Sequence, residues 1–342
     1  ENVRFVDRLL SLKTAVVKVF SSLLLLAGGG AIGREGPTLQ ISAVIFHYFG
    51  KFVRRLYPSS HEQTWVIAGA AAGLASAFNT PLGGIVYAIE ELGMKHFQRV
   101  RTALLSSVII SGLVAQGILG SYLYLGYPQL QPIALAGWPL VILVGFASGL
   151  GGALFSKGLL KALEYRRRLK NAWQLALFAL VCGVVTAALI VQNKANFGSG
   201  GPLISHILQT GEPASFLLTI GRVIATSAAY LSGAAGGIFA PSLTIGAALG
   251  SKLAFLFGNP QVTFFAMLGM IGFLTGVTHT PFTSFILVME MSDRHSAIFP
   301  MMVVALLANS AAKSMSAHSF YETVRDRWLG DHAKTVSKVD VV

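Results

Sequence analysis

The sequence predicts an all-α polytopic membrane protein made of two related halves, with helices interrupted inside apolar stretches. Three observations predict it. The 342 residues are 54% hydrophobic and only 12% charged, with a mean hydropathy of +0.65; soluble domains carry about 25% charged residues. Long apolar runs recur along the chain. One of those runs is repeated in the second half, and two glycine/proline-interrupted segments stand at matching places.

A bilayer core of about 30 Å needs about 20 apolar residues per helix. Apolar runs lie near 14–32, 65–90, 103–125, 136–156, 174–192, 216–231, 241–257, 263–290 and 297–311. They predict eight to ten helical segments in one domain. The 37 glycines sit inside these runs, as membrane helices allow. The net charge of +12 does not point to nucleic acid, because the basic residues flank apolar segments. Arg54, Arg55, Lys95, Arg99, Arg101, Lys157, Lys161, Arg166, Arg167, Arg168 and Lys170 read as loop and helix-end charges that set orientation. Their excess also favours anions. The single Cys182 excludes a disulfide within the chain, and the eight histidines have no metal-ligand spacing. No Ser/His/Asp set or phosphate loop suggests an enzyme, no secretory signal peptide is visible, and no cofactor is implied.

The repeat runs Ala68-Gly69-Ala70-Ala71-Ala72-Gly73-Leu74 against Leu268-Gly269-Met270-Ile271-Gly272-Phe273-Leu274. Both copies reach Thr-Pro, at Thr80-Pro81 and Thr280-Pro281, and both end on a glutamate, Glu90 and Glu290. A weaker pair is Gly36-Pro37-Thr38-Leu39 against Ala240-Pro241-Ser242-Leu243. Transporters are often built this way, with the substrate at the repeat interface between discontinuous helices whose N-termini face the ligand.

The two interrupted segments are Gly28-Gly29-Gly30-Ala31-Ile32-Gly33-Arg34-Glu35-Gly36-Pro37 and Ser232-Gly233-Ala234-Ala235-Gly236-Gly237-Ile238-Phe239-Ala240-Pro241. In each, glycines stop one helix and a proline is expected to open the next, at its first position. First-turn N–H groups then point into the break and need a partner inside the membrane. An anion satisfies them and the helix dipole together. Glu35 lies in the first break. A charge there is costly, about 2.5–3.5 kcal/mol on insertion scales, so it is read as functional: a carboxylate that occupies the anion site and leaves when protonated or displaced.

With these residues in view, the sequence resembles the CLC chloride channel and transporter family over nearly its whole length. Gly33-Arg34-Glu35-Gly36-Pro37 matches the family's gating-glutamate motif, and Gly236-Gly237-Ile238-Phe239-Ala240-Pro241 its second anion-binding motif. Lys18, the Glu90-Glu91 pair, Arg222, Glu290 and Tyr321 follow in family order. The resemblance implies the inverted-repeat CLC-like fold and a midplane anion site. It implies that Glu35 is the external gate and proton acceptor and Glu91 the inner proton glutamate. It places the central anion on the backbone of Ile238 and Phe239 and the Tyr321 hydroxyl, with Gly237, Arg34 and Gly36 also among the anion-binding residues. Lys18 and Arg222 would raise the local positive potential. It implies a homodimer in the lipid bilayer of the cell (inner) membrane, exchanging chloride for protons.

Glu91 is expected on an apolar helix, where Glu90 faces about 100° away from it, so only one of the two points along a given path. Glu290 matches Glu90 in the repeat, whereas Met291 stands where Glu91 would be; Glu90 therefore reads as structural. The family's upstream serine motif is not in this sequence, which begins after it, and the first helices of the family fold are expected to be absent. Gly198-Ser199-Gly200-Gly201-Pro202 resembles that motif but lies in the second half; it reads as a connector. The transport domain is expected over 1–321, with halves of roughly 1–125 and 136–321, followed by a short polar tail over 322–342. A passive channel of the same fold, or an exchanger preferring another anion such as nitrate, stays open as an alternative.

Overall fold

The computed structural model describes residues 10–56, 62–92, 97–120 and 122–339. Among them the chain is helical, with one isolated antiparallel bridge, Gly33 with Gly237, as its β feature. The helices are α1 (Leu12–Ala27), α2 (Glu35–Leu56), α3 (Glu62–Phe78), α4 (Pro81–Glu90), α5 (Phe97–Leu119), α6 (Trp138–Arg167) and α7 (Ala172–Gln192). Then come α8 (Gly201–Thr210), α9 (Phe216–Leu231), α10 (Phe239–Leu256), α11 (Val262–Thr278), α12 (Pro281–Ser292), α13 (Ile298–Met315) and α14 (Phe320–Val339). Of the basic residues read as flanking charges, Lys95 and the side chain of Arg99 lie outside the described part.

These fourteen helices outnumber the eight to ten expected, for two reasons. The runs 65–90 and 263–290 each hold two helices. Asn79 (φ 55°) and His279 (φ 57°) turn the backbone left-handed, and the following Thr-Pro starts a new helix at proline, which needs no N–H partner there. Helices α2, α8 and α14 escape an apolar-run search because they are amphipathic or polar; α2 carries His47, Lys51, Arg54 and Arg55.

The stretches Arg101–Leu119, Leu135–Arg167, Ala172–Gln192, Phe239–Leu256 and His295–Met315 are long and apolar enough to cross a membrane. Helix α7 turns most of its apolar surface outward, with Leu180, Val184 and Val191 exposed. By contrast, α11 is buried at nearly every position. Lipid offers no hydrophobic drive between helices, so contacts rely on close packing of small residues. A Cβ on Gly250 would stand 3.0 Å from the Gly269 Cα, and one on Gly276 would stand 3.0 Å from the Gly152 Cα. These glycines bring α10 and α6 backbone-to-backbone with α11. Gly145 and Gly149, four apart, do the same for α6 against α13, at Val304 and Ala308.

The repeat is visible in reciprocal hydrogen bonds. Glu90, closing α4, accepts from the backbone N–H groups of Phe282 (3.1 Å) and Thr283 (2.7 Å) at the start of α12. Glu290, late in α12, accepts from Leu82 (3.1 Å) and Gly83 (2.9 Å) at the start of α4. Each glutamate thus satisfies the unpaired first-turn donors of the other helix. This is the paired, structural arrangement that the match of Glu90 with Glu290 in the repeat suggests.

Candidate anion-binding site

The two glycine breaks fold alike. Gly29 (φ 86°) and Gly233 (φ 89°) take the left-handed conformation that glycine adopts without steric cost, ending α1 and α9. The chain then extends to Gly33 and Gly237, which exchange two backbone hydrogen bonds of 2.7 Å each. Helices α2 and α10 begin two residues beyond those glycines. Pro37 and Pro241 therefore occupy the third helical position, not the first. The motif still works there, because all first-turn N–H groups lack a partner within the helix.

The two N-termini meet at this bridge. A Cβ on Gly237 would lie 3.0 Å from the Gly36 nitrogen, and one on Gly236 would run into the Ile32 side chain. Glycine alone lets the loops approach this closely. The bridge also corrects one expectation: the Gly237 N–H donates to the Gly33 carbonyl, so it is not free for an anion. The donors left at the α10 terminus are those of Ile238, Phe239 and Ala240.

Glu35 is the first residue of α2 and only 2% exposed. Its carboxylate lies against the backbone N–H groups of Glu35, Arg34 and Ala240, the last of these on α10. Its Oε2 occupies the space that a Cβ on Gly33 would need, and makes no well-formed hydrogen bond. A carboxylate is thus docked where two helix dipoles converge, against backbone N–H groups and beside the Arg34 charge.

Phe239 is buried, its ring set edge-on to Tyr87 (6.3 Å) and tilted against Phe78 (6.0 Å). Tyr321, second residue of α14, packs on both large core clusters, with Tyr87, Tyr230, Glu91 and Glu35 within electrostatic reach of its hydroxyl. Glu91, expected inside a helix, instead caps the C-terminus of α4, half-buried, with its N–H on the Tyr87 carbonyl at 2.9 Å. Glu322, Arg325 and Glu90 lie within electrostatic reach of it.

Two residues of the site are not marked by the sequence motifs. Tyr87 stands one turn before Glu91 and links it to Phe239 and Tyr321; its i, i+4 spacing is the available signal. Tyr124, packed on Phe78 at 5.2 Å, lies within electrostatic reach of Glu35. It comes from the loop after α5, and nothing local marks it.

The basic residues divide. Arg34 is exposed beside Glu35. The Lys18 ammonium bonds the Gln40 amide on α2, tying α1 to α2. Arg222 is fully buried and donates through Nη1 to the carbonyls of Ala195 (3.4 Å), Asn196 (3.0 Å) and Gly198 (3.0 Å). It clamps the loop that contains Ser199, whose carbonyl accepts from Thr244 at 3.0 Å. Its charge remains in the interior, but its contacts are with that loop.

The family description "Voltage gated chloride channel" matches residues 1–313. The chain belongs to this family. An H(+)/Cl(-) exchange transporter ClcA of Cronobacter sakazakii is 31% identical over 328 residues, covering 92% of this chain and 69% of that protein. A ClcB-like protein of Ralstonia nicotianae is 32% identical over 332 residues, covering 92% and 75%. Among solved structures, a slow cyanobacterial Cl-/H+ antiporter superposes with a TM-score of 0.76 at 25% identity, over 92% of this chain and 76% of that one. A CLC-type fluoride/proton antiporter gives 0.78 at 26%, over 91% and 77%. The chain therefore has the CLC fold and is an integral, multi-pass membrane protein.

Proposed function

We propose that this protein is a secondary antiporter exchanging chloride for protons across the membrane. The observation that carries the reading is the Glu35 carboxylate, buried at the junction of two helix N-termini. A site built for an anion is filled by a titratable anion of the protein itself. Chloride and carboxylate then compete for the same donors, and the carboxylate releases them most readily when it takes a proton. Competition of this kind couples the two ions. A fixed cation would not give it, since it would hold chloride regardless of protonation.

Each residue has a role in this scheme. The N–H groups of Ile238 and Phe239 and the Tyr321 hydroxyl hold the anion. Glu35 gates the site and carries the proton on the outer side. Glu91 receives protons on the inner side, with Tyr87 between it and the anion pocket. Arg34 adds positive potential at the rim; Gly36 and Gly237 allow the close approach of the loops. The halves, roughly 1–125 and 136–321, contribute one N-terminus each. The basic end of α6, with Arg166, Arg167 and Arg168, lies on the same face as α14, which contacts α6 through Arg327 and the Leu160 carbonyl at 3.1 Å. The positive-inside rule makes that face cytoplasmic. Relatives named as H+/Cl- exchangers support the reading.

The working unit is a homodimer with one pathway per subunit. Leu82 and Ile89 on α4, Phe282 on α12, and Phe299 and Leu306 on α13 present exposed apolar side chains suited to that interface. A monomeric mass in detergent at every concentration would count against it.

Chloride-driven proton uptake into liposomes tests the function, with Glu35→Gln as its partner variant. The neutral amide imitates the protonated acid but carries no proton. Chloride flux should persist and proton flux should vanish. Proton pumping by Glu35→Gln against a chloride gradient would overturn the gate assignment.

A further inference from the structure

Arg222 lies on α9, fully buried, and its hydrogen bonds end on a single loop. Nη1 donates to the carbonyls of Asn196 and Gly198, each at 3.0 Å, and at 3.4 Å to that of Ala195. Three carbonyl oxygens thus converge on one nitrogen. Converging oxygens repel one another, and a buried acceptor without a donor is costly. The guanidinium is what lets the loop close in this shape. Gly200 completes the fit, in the left-handed conformation (φ 96°). A Cβ there would stand 2.6 Å from Arg222 Nη2 and would run into the Thr244 side chain. Asn196, also buried, donates through Nδ2 to the Leu189 carbonyl at 2.9 Å and so anchors the loop to α7.

The clamped loop grips both sides of the anion site. The Gly198 N–H donates to the Gly29 carbonyl at 3.1 Å, inside the first glycine break. Ile190 and Phe197 close over the same glycine, 2.8 and 3.0 Å from where its Cβ would stand. From α10, the Thr244 hydroxyl donates to the Ser199 carbonyl at 3.0 Å, a bond it shares with the Ala240 carbonyl at 3.1 Å. Gly29 leads directly to Gly33, which bridges to Gly237, and Ala240 lies in the first turn of α10. The loop therefore touches the chain that delivers each of the two facing N-termini.

We propose that Arg222 is a positioning residue of the anion site: through the 195–200 loop it holds the N-termini of α2 and α10 at the separation that binds the anion. The inference rests on the anion-site reading above. It gives Arg222 a task other than raising the local potential. A potential needs the charge and not the loop, whereas positioning needs the loop as much as the charge. Gly198-Ser199-Gly200-Gly201-Pro202, a connector by its sequence, is then the part through which the clamp acts.

The test is chloride affinity by calorimetric titration, beside the unfolding midpoint, for wild type, Arg222→Met, Gly200→Ala, Thr244→Val and the pair Arg222→Met with Gly200→Ala. Gly200→Ala and Thr244→Val leave the Arg222 charge in place and loosen its loop. Each should weaken chloride binding on the order of tenfold, the effect of losing one hydrogen bond to a charged group. Arg222→Met should weaken it at least as much. The pair should bind chloride about as weakly as Arg222→Met alone, because both changes release the same clamp. Affinity within about twofold of wild type in both Gly200→Ala and Thr244→Val, beside a loss in Arg222→Met, would leave only the charge and overturn the proposal. Lower unfolding midpoints with unchanged affinity in the folded variants would show a merely structural role and overturn it too. If Arg222→Met does not fold, Thr244→Val decides alone, since it exchanges a hydroxyl for a methyl of similar shape. Wild-type protein that binds no chloride would overturn the anion-site reading, and this inference with it.

Discussion

Glu90 and Glu91 are adjacent carboxylates with different surroundings: Glu90 accepts from the first turn of α12, whereas Glu91 caps α4. Replacing Glu90 by alanine strips the first turn of α12 of its acceptor. Three donors lose their partner: the N–H of Phe282 at 3.1 Å, the N–H of Thr283 at 2.7 Å, and the Thr283 hydroxyl at 2.8 Å. Hydrogen bonds to a charged group contribute about 1.5–3 kcal/mol each. The Phe282 bond is long and its residue half-exposed, so the two Thr283 bonds dominate. The net cost is about 3–4 kcal/mol. A chain of this length has an unfolding entropy on the order of 0.7 kcal/mol/K at its midpoint. The unfolding temperature should therefore fall by about 5 °C. Glu290→Ala, with two bonds of 3.1 and 2.9 Å, should cost about 3 kcal/mol, the lower end of that range for two bonds. Glu90→Gln keeps one acceptor oxygen and should lose about half as much as alanine.

The assay is thermal unfolding of purified protein in detergent, followed by tryptophan fluorescence, beside paired ion flux in liposomes. Surviving Glu90→Ala protein should exchange chloride and protons in the wild-type ratio. A midpoint within about 1 °C of wild type would refute the capping argument. A well-folded but uncoupled Glu90 variant would show that the proton path runs through Glu90 instead of Glu91.

Glu91→Gln should keep chloride flux and lose proton flux, since Glu91 makes no helix cap for another element; normal coupling in that variant, in the same flux assay, would revive the channel reading. Tyr321→Phe removes one neutral donor from the anion, worth about 0.5–1.5 kcal/mol; calorimetric titration should show chloride affinity lower by roughly two- to tenfold, and an unchanged affinity would remove Tyr321 from the site. Gly269→Val places a branched side chain where the Gly250 Cα would stand 2.8 Å from its Cβ, forcing α10 from α11. Size-exclusion chromatography should find aggregate, and a monodisperse, transporting Gly269→Val protein would contradict the packing account.

Membrane character could be read from composition alone, because a bilayer excludes charge and the low charged fraction is a property of the residues whatever their order. The Thr80-Pro81 and Thr280-Pro281 pair and the two glycine breaks could also be read, since left-handed backbone and unpaired first-turn donors are local demands that glycine and proline meet locally. Glu35 stands out because a charge amid glycines in an apolar stretch is costly unless specific donors hold it. What the linear pattern hides is the detail of contacts across the chain. Periodicity does not show that Gly237 commits its N–H to Gly33, since that bond joins residues far apart in sequence. Nor does it show that Arg222 clamps the Ala195–Gly198 loop or that Tyr124 comes within electrostatic reach of Glu35. Amphipathic or polar helices such as α2, α8 and α14 carry no long apolar run to announce them. The exact meeting of α2 and α10 was decided by the Gly33–Gly237 bridge and the approach of Gly237 to Gly36, because only tertiary packing brings segments about two hundred residues apart to one point.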